Sequence, residues 1–352
     1  MSEHVRAALA SIVEGRSLTI DEARLAMGSV MDGEATPAQL AALLVALRMR
    51  GETVEELAGF ASAMRERVLR VQAPEGTIDV VGTGGDGSGT FNISTAAAFV
   101  VASVGVPVAK HGNRAITSRS GSADVLEALG VRIDHSAESA AASLREHGFA
   151  FLFAPNFHPA MRHAGPTRRE IGIRTSFNLI GPLTNPAGAR RALIGVGDPK
   201  VAARIAEVAA VLGTDRTLVV HGAGVDELPL DGTGVIYDVE NGTVDSREID
   251  ASRLGLEGAS TSALAGGTAA ENAAIVESIF AGHAGPRRDV VLLNAGAALV
   301  AAGTADDIAA GIEAARATLD AGKPAELLAQ LRAEKLAADA NAAGAATAAL
   351  PA

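Results

Sequence analysis

The 352-residue sequence predicts an α/β protein, with a small N-terminal helical domain followed by a large α/β domain around a mostly parallel central sheet. Three observations carry that expectation. Successive helix-start signatures crowd the first part of the chain, with no strand pattern between them. From Ile78 onward, short apolar runs alternate with helical stretches, the rhythm of a parallel sheet. The composition, 48% hydrophobic against 20% charged, is that of a globular chain able to bury a sizeable core.

The elements follow in order. Residues 5–13 read as an opening helix. Thr19 with Glu22, Thr36 with Gln39 and Thr53 with Glu56 are capping boxes, and Pro37 stands at the first helical position after Thr36. Leu40, Leu43, Leu44 and Leu47, then Leu57, Phe60, Ala61 and Met64, recur at helical spacing. The stretch 72–77 marks the boundary, giving a helical domain over 1–72, joined by part of 158–186, and an α/β domain over 73–352. Strands are expected at 78–81, 107–109, 131–133, 150–153, 192–196 and 218–220. Residues 235–239 and 244–249, joined through Asn241-Gly242, form a hairpin. Helices return at 268–281, 287–302 and 306–319 and from 325 on, and the Ala-rich stretch from Ala337 reads as a fraying end.

Charge and composition exclude several classes of function. The chain has no cysteine, so disulfides and thiol chemistry are absent and a reducing compartment fits. The charged N-terminus shows no signal peptide, and the uncharged run 87–109 is too polar and too broken by Gly105 and Pro107 to span a membrane; a cytoplasmic protein with no membrane partner is expected. A net charge of −11 argues against nucleic acid as a partner. Yet no acid stands between Asp86 and Asp124, where Lys110, Arg114 and Arg119 lie. Between Glu146 and Asp198 only Glu170 is acidic, against six arginines beginning with Arg162 and ending with Arg191. Two basic enclaves in an acidic chain point to a small anionic ligand.

The stretch DVVGTGGDGSGTFNIST, residues 79–95, holds G-x-G-x-x-G at Gly82, Gly84 and Gly87. A dinucleotide-binding turn would be followed about 20 residues later by an acid for the ribose, and none is there. A Walker loop would place Lys and then Ser or Thr after the last glycine, where this chain has Ser88. What remains is a glycine turn whose N–H groups face anionic oxygens, with Asn92, Ser94 and Thr95 opening a helix whose dipole favours the same charge. Glycines in any tight strand-to-helix turn would look the same. Asp86 inside the turn makes sense where a metal or a ligand hydroxyl meets it.

Read together, GTGGD, NIST, KHGNR, SGSAD and VVHGAGVDELPL closely resemble the anthranilate phosphoribosyltransferases, and the likeness runs from the N-terminal helices to about Leu331. The resemblance implies transfer of phosphoribose from phosphoribosyl pyrophosphate to the amine of anthranilate, with Mg²⁺ and release of pyrophosphate, by a homodimer. It implies that Gly82, Gly85, Asp86, Thr90, Asn92, Ile93, Ser94, Thr95, Lys110, His111, Gly112, Asn113, Arg114, Ala115, Ile116, Thr117, Ser118 and Ser122 hold phosphoribosyl pyrophosphate. Ser94, Asp226 and Glu227 match the metal positions, and Gly82, Asn113 and Arg168 those that contact anthranilate.

The chemistry asks for the same residue types. Displacement at the anomeric carbon builds positive charge on the sugar and negative charge on the leaving group, so catalysis is mainly positioning and charge stabilisation. Mg²⁺ takes carboxylate, phosphate and water oxygens. A lone Asp-Glu pair is usually solvated surface; following His221-Gly222 in a loop after a strand, both acids can reach one ion. Lys110 suits phosphate, and Arg168 can grip a carboxylate with two hydrogen bonds or simply pair with Glu170 on a surface helix. His111 is a candidate base or hydrogen-bond donor. Gly165, Thr167 and Ser176 depart from the family's usual residues near the expected anthranilate tunnel. Two alternatives stay open: a pyrimidine nucleoside phosphorylase, and a nucleic-acid-binding relative without the metal pair.

Overall fold

The computed structural model describes residues 1–115 and 119–348. The N-terminal helices are α1 (Glu3–Val13), α2 (Ile20–Met31), α3 (Pro37–Arg50) and α4 (Val54–Glu66). Thr19, Thr36 and Thr53 each cap their helix with a complete capping box, as the sequence predicts. The α/β part continues with β1 (Ile78–Gly82), α5 (Ile93–Val104), β2 (Val108–Gly112), α6 (Ser122–Ala128), α7 (Ala137–His147) and β3 (Phe149–Phe153). Three short helices follow, α8 (Ala154–Phe157), α9 (Gly165–Ile171) and α10 (Ser176–Ile180), then β4 (Arg191–Gly195), α11 (Pro199–Val211), β5 (Arg216–Gly222), β6 (Thr233–Glu240) and β7 (Thr243–Asp250). The chain ends in α12 (Ala269–Phe280), α13 (Pro286–Ala301), α14 (Ile308–Asp320) and α15 (Lys323–Ala348).

The described residues form a seven-stranded sheet in the order β3-β2-β1-β4-β5-β6-β7. The first five strands along the chain are parallel and the last two antiparallel. The β6–β7 hairpin turns through Asn241 and Gly242, both at positive φ as the twist of a two-residue turn requires. One sheet face buries Ile78, Val80, Leu193, Leu218 and Val220 against α5 and α13. The other carries Ala192, Ile194 and Val219 into a core shared with Leu47 and Phe60 of the N-terminal helices and Ala202 and Ile205 of α11.

Two expectations are corrected. Residues 131–133 are not a strand: after the left-handed turn at Gly130 the segment packs its apolar side chain on the core, but no strand lies beside it to form a ladder. The Ala-rich end is helical past Ala337: α15 runs on to Ala348, in keeping with the high helix propensity of alanine.

Helices α13 and α14 approach so closely that a Cβ on Gly311 would overlap the carbonyl oxygen of Gly296. Gly311→Ala is expected to cost about 1–3 kcal/mol, the scale of overpacking, and to lower the melting temperature. An unchanged melting curve would mean that the helices do not meet at this distance.

Candidate active site

The strand order reverses between β1 and β4, and in open α/β sheets ligands bind outside the carboxyl ends of the strands at such a point. Those ends are Gly82 and Gly195, which are register partners. Asp226 lies across both. A Cβ on Gly82 would come within 2.5 Å of its Oδ2, and one on Gly195 would overlap its backbone oxygen. The glycines at this row are therefore a space requirement. A tight turn at Gly222–Val225, with Ala223 at a φ of 51°, delivers Asp226 and Glu227 to the spot.

The glycine loop closes over this pair. Gly84 N donates to Asp226 Oδ2 at 2.8 Å, and Asp226 N donates to Asp86 Oδ2 at 3.1 Å. Asp86 Oδ1 accepts from the N and Oγ of Ser88, which fixes the loop's exit. Glu227 Oε1 accepts from Ser94 N at 3.0 Å, so it caps α5, where Asn92 supplies no side-chain cap. Lys110 is 1% exposed beneath the loop, its Nζ donating to Val80 O at 2.6 Å and to Ser94 Oγ at 3.3 Å. It reaches the site through Ser94 rather than from the surface.

Burial dominates the electrostatics. Asp226 is pushed up to about 7 by burial and by the neighbouring Asp86 carboxylate, and Glu227 is raised well above its ordinary value by burial and by Asp226. Asp79, 1% exposed in β1, is raised to about 6 by burial, while Lys110 falls to about 8 for the same reason, held up by Asp79, Glu227 and Asp226. One buried ammonium thus faces several carboxylates, an imbalance that a cation would relieve. Among the described residues no group of three His, Cys, Asp or Glu could hold a metal alone. An oxygen-rich pair lacking further protein ligands suits Mg²⁺, which binds through one or two carboxylates together with substrate phosphates and water.

The remaining expected residues are distributed as follows. Asn92 links two segments, donating to Ser120 O at 3.3 Å and accepting from Asn272 at 2.9 Å. Thr90 bridges to Ala265, Ile93 is buried, and Thr95 is buried with its hydroxyl unpartnered. Asp124 staples the next loop by accepting from the N–H groups of Ala115 and Gly121. Arg114 is engaged by Asp124 and Glu127. Asn113 Oδ1 accepts from Arg114 N, and Ser122 Oγ donates to Asn113 O; a Cβ on Gly112 would overlap that Ser122 hydroxyl. Ile116, Thr117 and Ser118 lie outside the described residues. The His111 and His158 rings lie 5.1 Å apart, tilted by 41°; burial pushes His111 down to about 3 and His158 to about 4, so both are neutral at pH 7. Arg168 makes no ion pair with Glu170; its guanidinium sits 4.7 Å over the Phe177 ring, half-buried and without a hydrogen-bond partner among the described residues.

Several supporting residues escaped the sequence reading. Asn294, fully buried in α13, accepts from Leu228 N and donates to Leu228 O, clamping the loop that carries the acid pair. A lone Asn in the apolar run VVLLNAGAALVA was the available signal. Arg174 donates to the carbonyls of Gly84 and Thr83, tying the glycine loop to the segment before α10. Asn185 bridges Asp79 and Ala109 O. Ser176, one of the departures, is buried and donates to Glu52 Oε1 at 2.8 Å.

The helical bundle, the mostly parallel sheet and the acid pair facing a glycine loop at the switch point are those of a glycosyl transferase family. Residues 74–325 match the family described as "Glycosyl transferase family, a/b domain", and residues 6–68 match its "helical bundle domain". The anthranilate phosphoribosyltransferase of Thermomicrobium roseum is 54% identical over 92% of this chain and 95% of that protein. The enzyme of Chloroflexus aggregans is 53% identical over 92% and 96%. The crystal structure of the Thermus thermophilus enzyme superposes with a TM-score of 0.89 at 45% identity, covering 93% of this chain and 99% of that one. A Saccharomyces cerevisiae anthranilate phosphoribosyltransferase in complex with phosphoribosyl pyrophosphate and Mg gives 0.87 at 26% identity, covering 96% and 99%. The chain belongs to the anthranilate phosphoribosyltransferase family.

The raised carboxylates carry a stability cost with a definite sign. An acid whose pKa is higher folded than unfolded destabilises the fold once pH exceeds the unfolded value, and the penalty is complete above the folded one. For Asp226 that window runs from about 4 to about 7. In metal-free buffer, Asp226→Asn should therefore raise the melting temperature at pH 8, with a gain that shrinks steadily towards pH 4. A gain independent of pH would contradict the burial of this carboxylate.

Proposed function

We propose that this enzyme transfers the phosphoribosyl group of phosphoribosyl pyrophosphate to the amine of anthranilate in tryptophan biosynthesis, with Asp226 and Glu227 holding Mg²⁺. The observation that carries the site assignment is Asp226 lying across Gly82 and Gly195 under the glycine loop, with the buried Glu227 beside it. In the reaction the bond from the anomeric carbon to pyrophosphate breaks, the nitrogen–carbon bond forms, and the amine loses a proton. When bound, Mg²⁺ would neutralise charge on the departing pyrophosphate.

The chain's own groups do the rest. The N–H groups of Gly85 and the first turn of α5 favour the phosphate oxygens, and Lys110 supports Ser94 from below. Arg168, without an ion pair among the described residues and lying over the Phe177 ring, is available to the anthranilate carboxylate. His111 is held neutral and far too weakly basic to serve as a strong proton acceptor. It contributes position and a hydrogen bond, and the aromatic amine, already nucleophilic when neutral, needs no base. Val13, Leu25 and Met49, exposed on α1 to α3, support a homodimer through the N-terminal helices. No helix among the described residues is long and apolar enough to cross a membrane, and the absence of cysteine supports a cytoplasmic setting.

Anthranilate fluorescence should decay when phosphoribosyl pyrophosphate and Mg²⁺ are both present, and persist when either is withheld; persistence with all three would overturn the activity. Asp226→Asn with Glu227→Gln should cripple turnover in a folded protein. Arg168→Ala should weaken anthranilate by roughly 1.5–3 kcal/mol while leaving phosphoribosyl pyrophosphate nearly unaffected. Equal losses for the two substrates would assign Arg168 a structural role. Sedimentation at micromolar concentration should give a dimer, and a monomer rejects the interface.

A further inference from the structure

A cavity of about 300 Å³ lies at the opposite ends of the strands that carry the glycine loop and the acid pair. Its floor is one row of the sheet. Asp79, Ala192 and Thr217 are register partners on β1, β4 and β5, so they point to the same side, and all three line it. One wall is the end of α4 and the segment after it, with Arg65 and Arg70; the other is the stretch from Leu183 to Arg190. These are the two connections by which the chain leaves the N-terminal helices and returns to the sheet.

The polar groups around it are unevenly satisfied. Arg65 donates through Nε to Leu183 O at 2.7 Å, yet no carboxylate pairs with its guanidinium among the described residues. Burial and the nearby Arg190 both disfavour its charge. Thr217 is 1% exposed and its hydroxyl has no hydrogen-bond partner. Asp79, the one acid in the lining, is already occupied by Asn185, by the N–H of His111 and by the charge of Lys110. At the rim Arg190 pairs with Asp215, and Arg70 has no ion pair among the described residues. A half-buried guanidinium with no counter-charge and a buried hydroxyl with no partner, both in the lining of one cavity, are costly unless something meets them.

We propose that this cavity binds a small carboxylate with a compact apolar body. The carboxylate pairs in two-pronged fashion with Arg65 and takes the Thr217 hydroxyl, and the body lies against Leu183, Ile194 and Leu212. A single planar anion matches one guanidinium fork. A bare phosphate would leave the apolar wall in water and set a second negative charge near Asp79. The occupant would touch both connections between the helical part and the sheet, at a site separate from the glycine loop and requiring no turnover for its detection.

Saturation-transfer NMR on the full chain, with cyclohexanecarboxylate as the probe, tests this directly. Saturable binding is expected with a Kd on the order of 1 mM or tighter. Cyclohexanecarboxamide and inorganic phosphate should each bind at least about tenfold more weakly, the scale of one charge-assisted pair. Arg65→Met and Ala192→Leu, the second filling the floor, should each weaken the probe by about tenfold or more. Arg168→Ala should bind it as the wild type does, which separates this site from the position proposed for the anthranilate carboxylate. If Arg65→Met does not fold, Ala192→Leu and the isosteric Thr217→Val decide. No saturable binding to the wild type, undiminished binding to Ala192→Leu, or phosphate binding more tightly than the carboxylate would each overturn the proposal.

Discussion

Everything in the candidate site depends on one close approach: the Asp226 backbone and carboxylate resting on two strand-end glycines that have no side chain to give. Gly82 and Gly195 face each other in register, so the bare patch sits where the strand order reverses. Any larger residue in either place would lift Asp226 off the sheet. With it would go the Gly84 hydrogen bond, the Asp86 contact and the position of Glu227 at the start of α5. The left-handed Ala223 and the Asn294 clamp hold the same loop from its other side. The acid pair is fixed by backbone geometry from both directions, which is why two flexible-looking loop carboxylates can form a site.

That placement creates an electrostatic debt that the fold does not settle internally. Asp79 and Glu227 are buried and Asp226 half-buried around one ammonium, and desolvation shifts all four groups towards their neutral forms. A sequence selected for stability alone would replace these acids, since a buried ionised group without a full partner opposes folding. Their retention fits a site completed by a divalent cation and an anionic substrate together, each making the other's charge tolerable.

The helices were legible because their signals are local: a capping box needs only three residues of context, and Thr19, Thr36 and Thr53 behave as their spacing says. The hairpin at Asn241-Gly242 was legible for the same reason. Residues 131–133 failed because an apolar run does not disclose whether a strand lies beside it. The acid pair and the glycine loop could be named from motifs, but their meeting at one row of the sheet depends on strand order, which no local pattern encodes. Asn294, Arg174 and Asn185 act on backbone groups far away in sequence, and such partners leave almost no trace in it. Arg114 shows the converse: inside a motif read as substrate-holding, its charge is met by Asp124 and Glu127.

The same arrangement explains why the site contains histidines yet no apparent proton acceptor. The His111 and His158 rings meet at a tilt in a region dry enough to keep both uncharged, and His111 follows Lys110, whose positive charge further opposes protonation. A basic imidazole there would need a carboxylate beside it, and the nearby acids face Lys110 and the glycine loop instead. A site that has to stabilise leaving-group charge would gain more from acids able to hold a cation than from a base placed for the amine. Neutral imidazoles cost little to bury and leave the substrate's amine unprotonated, the form in which it attacks. The division of labour follows from geometry: charge is concentrated where β1 and β4 end, and the surface next to it is kept neutral.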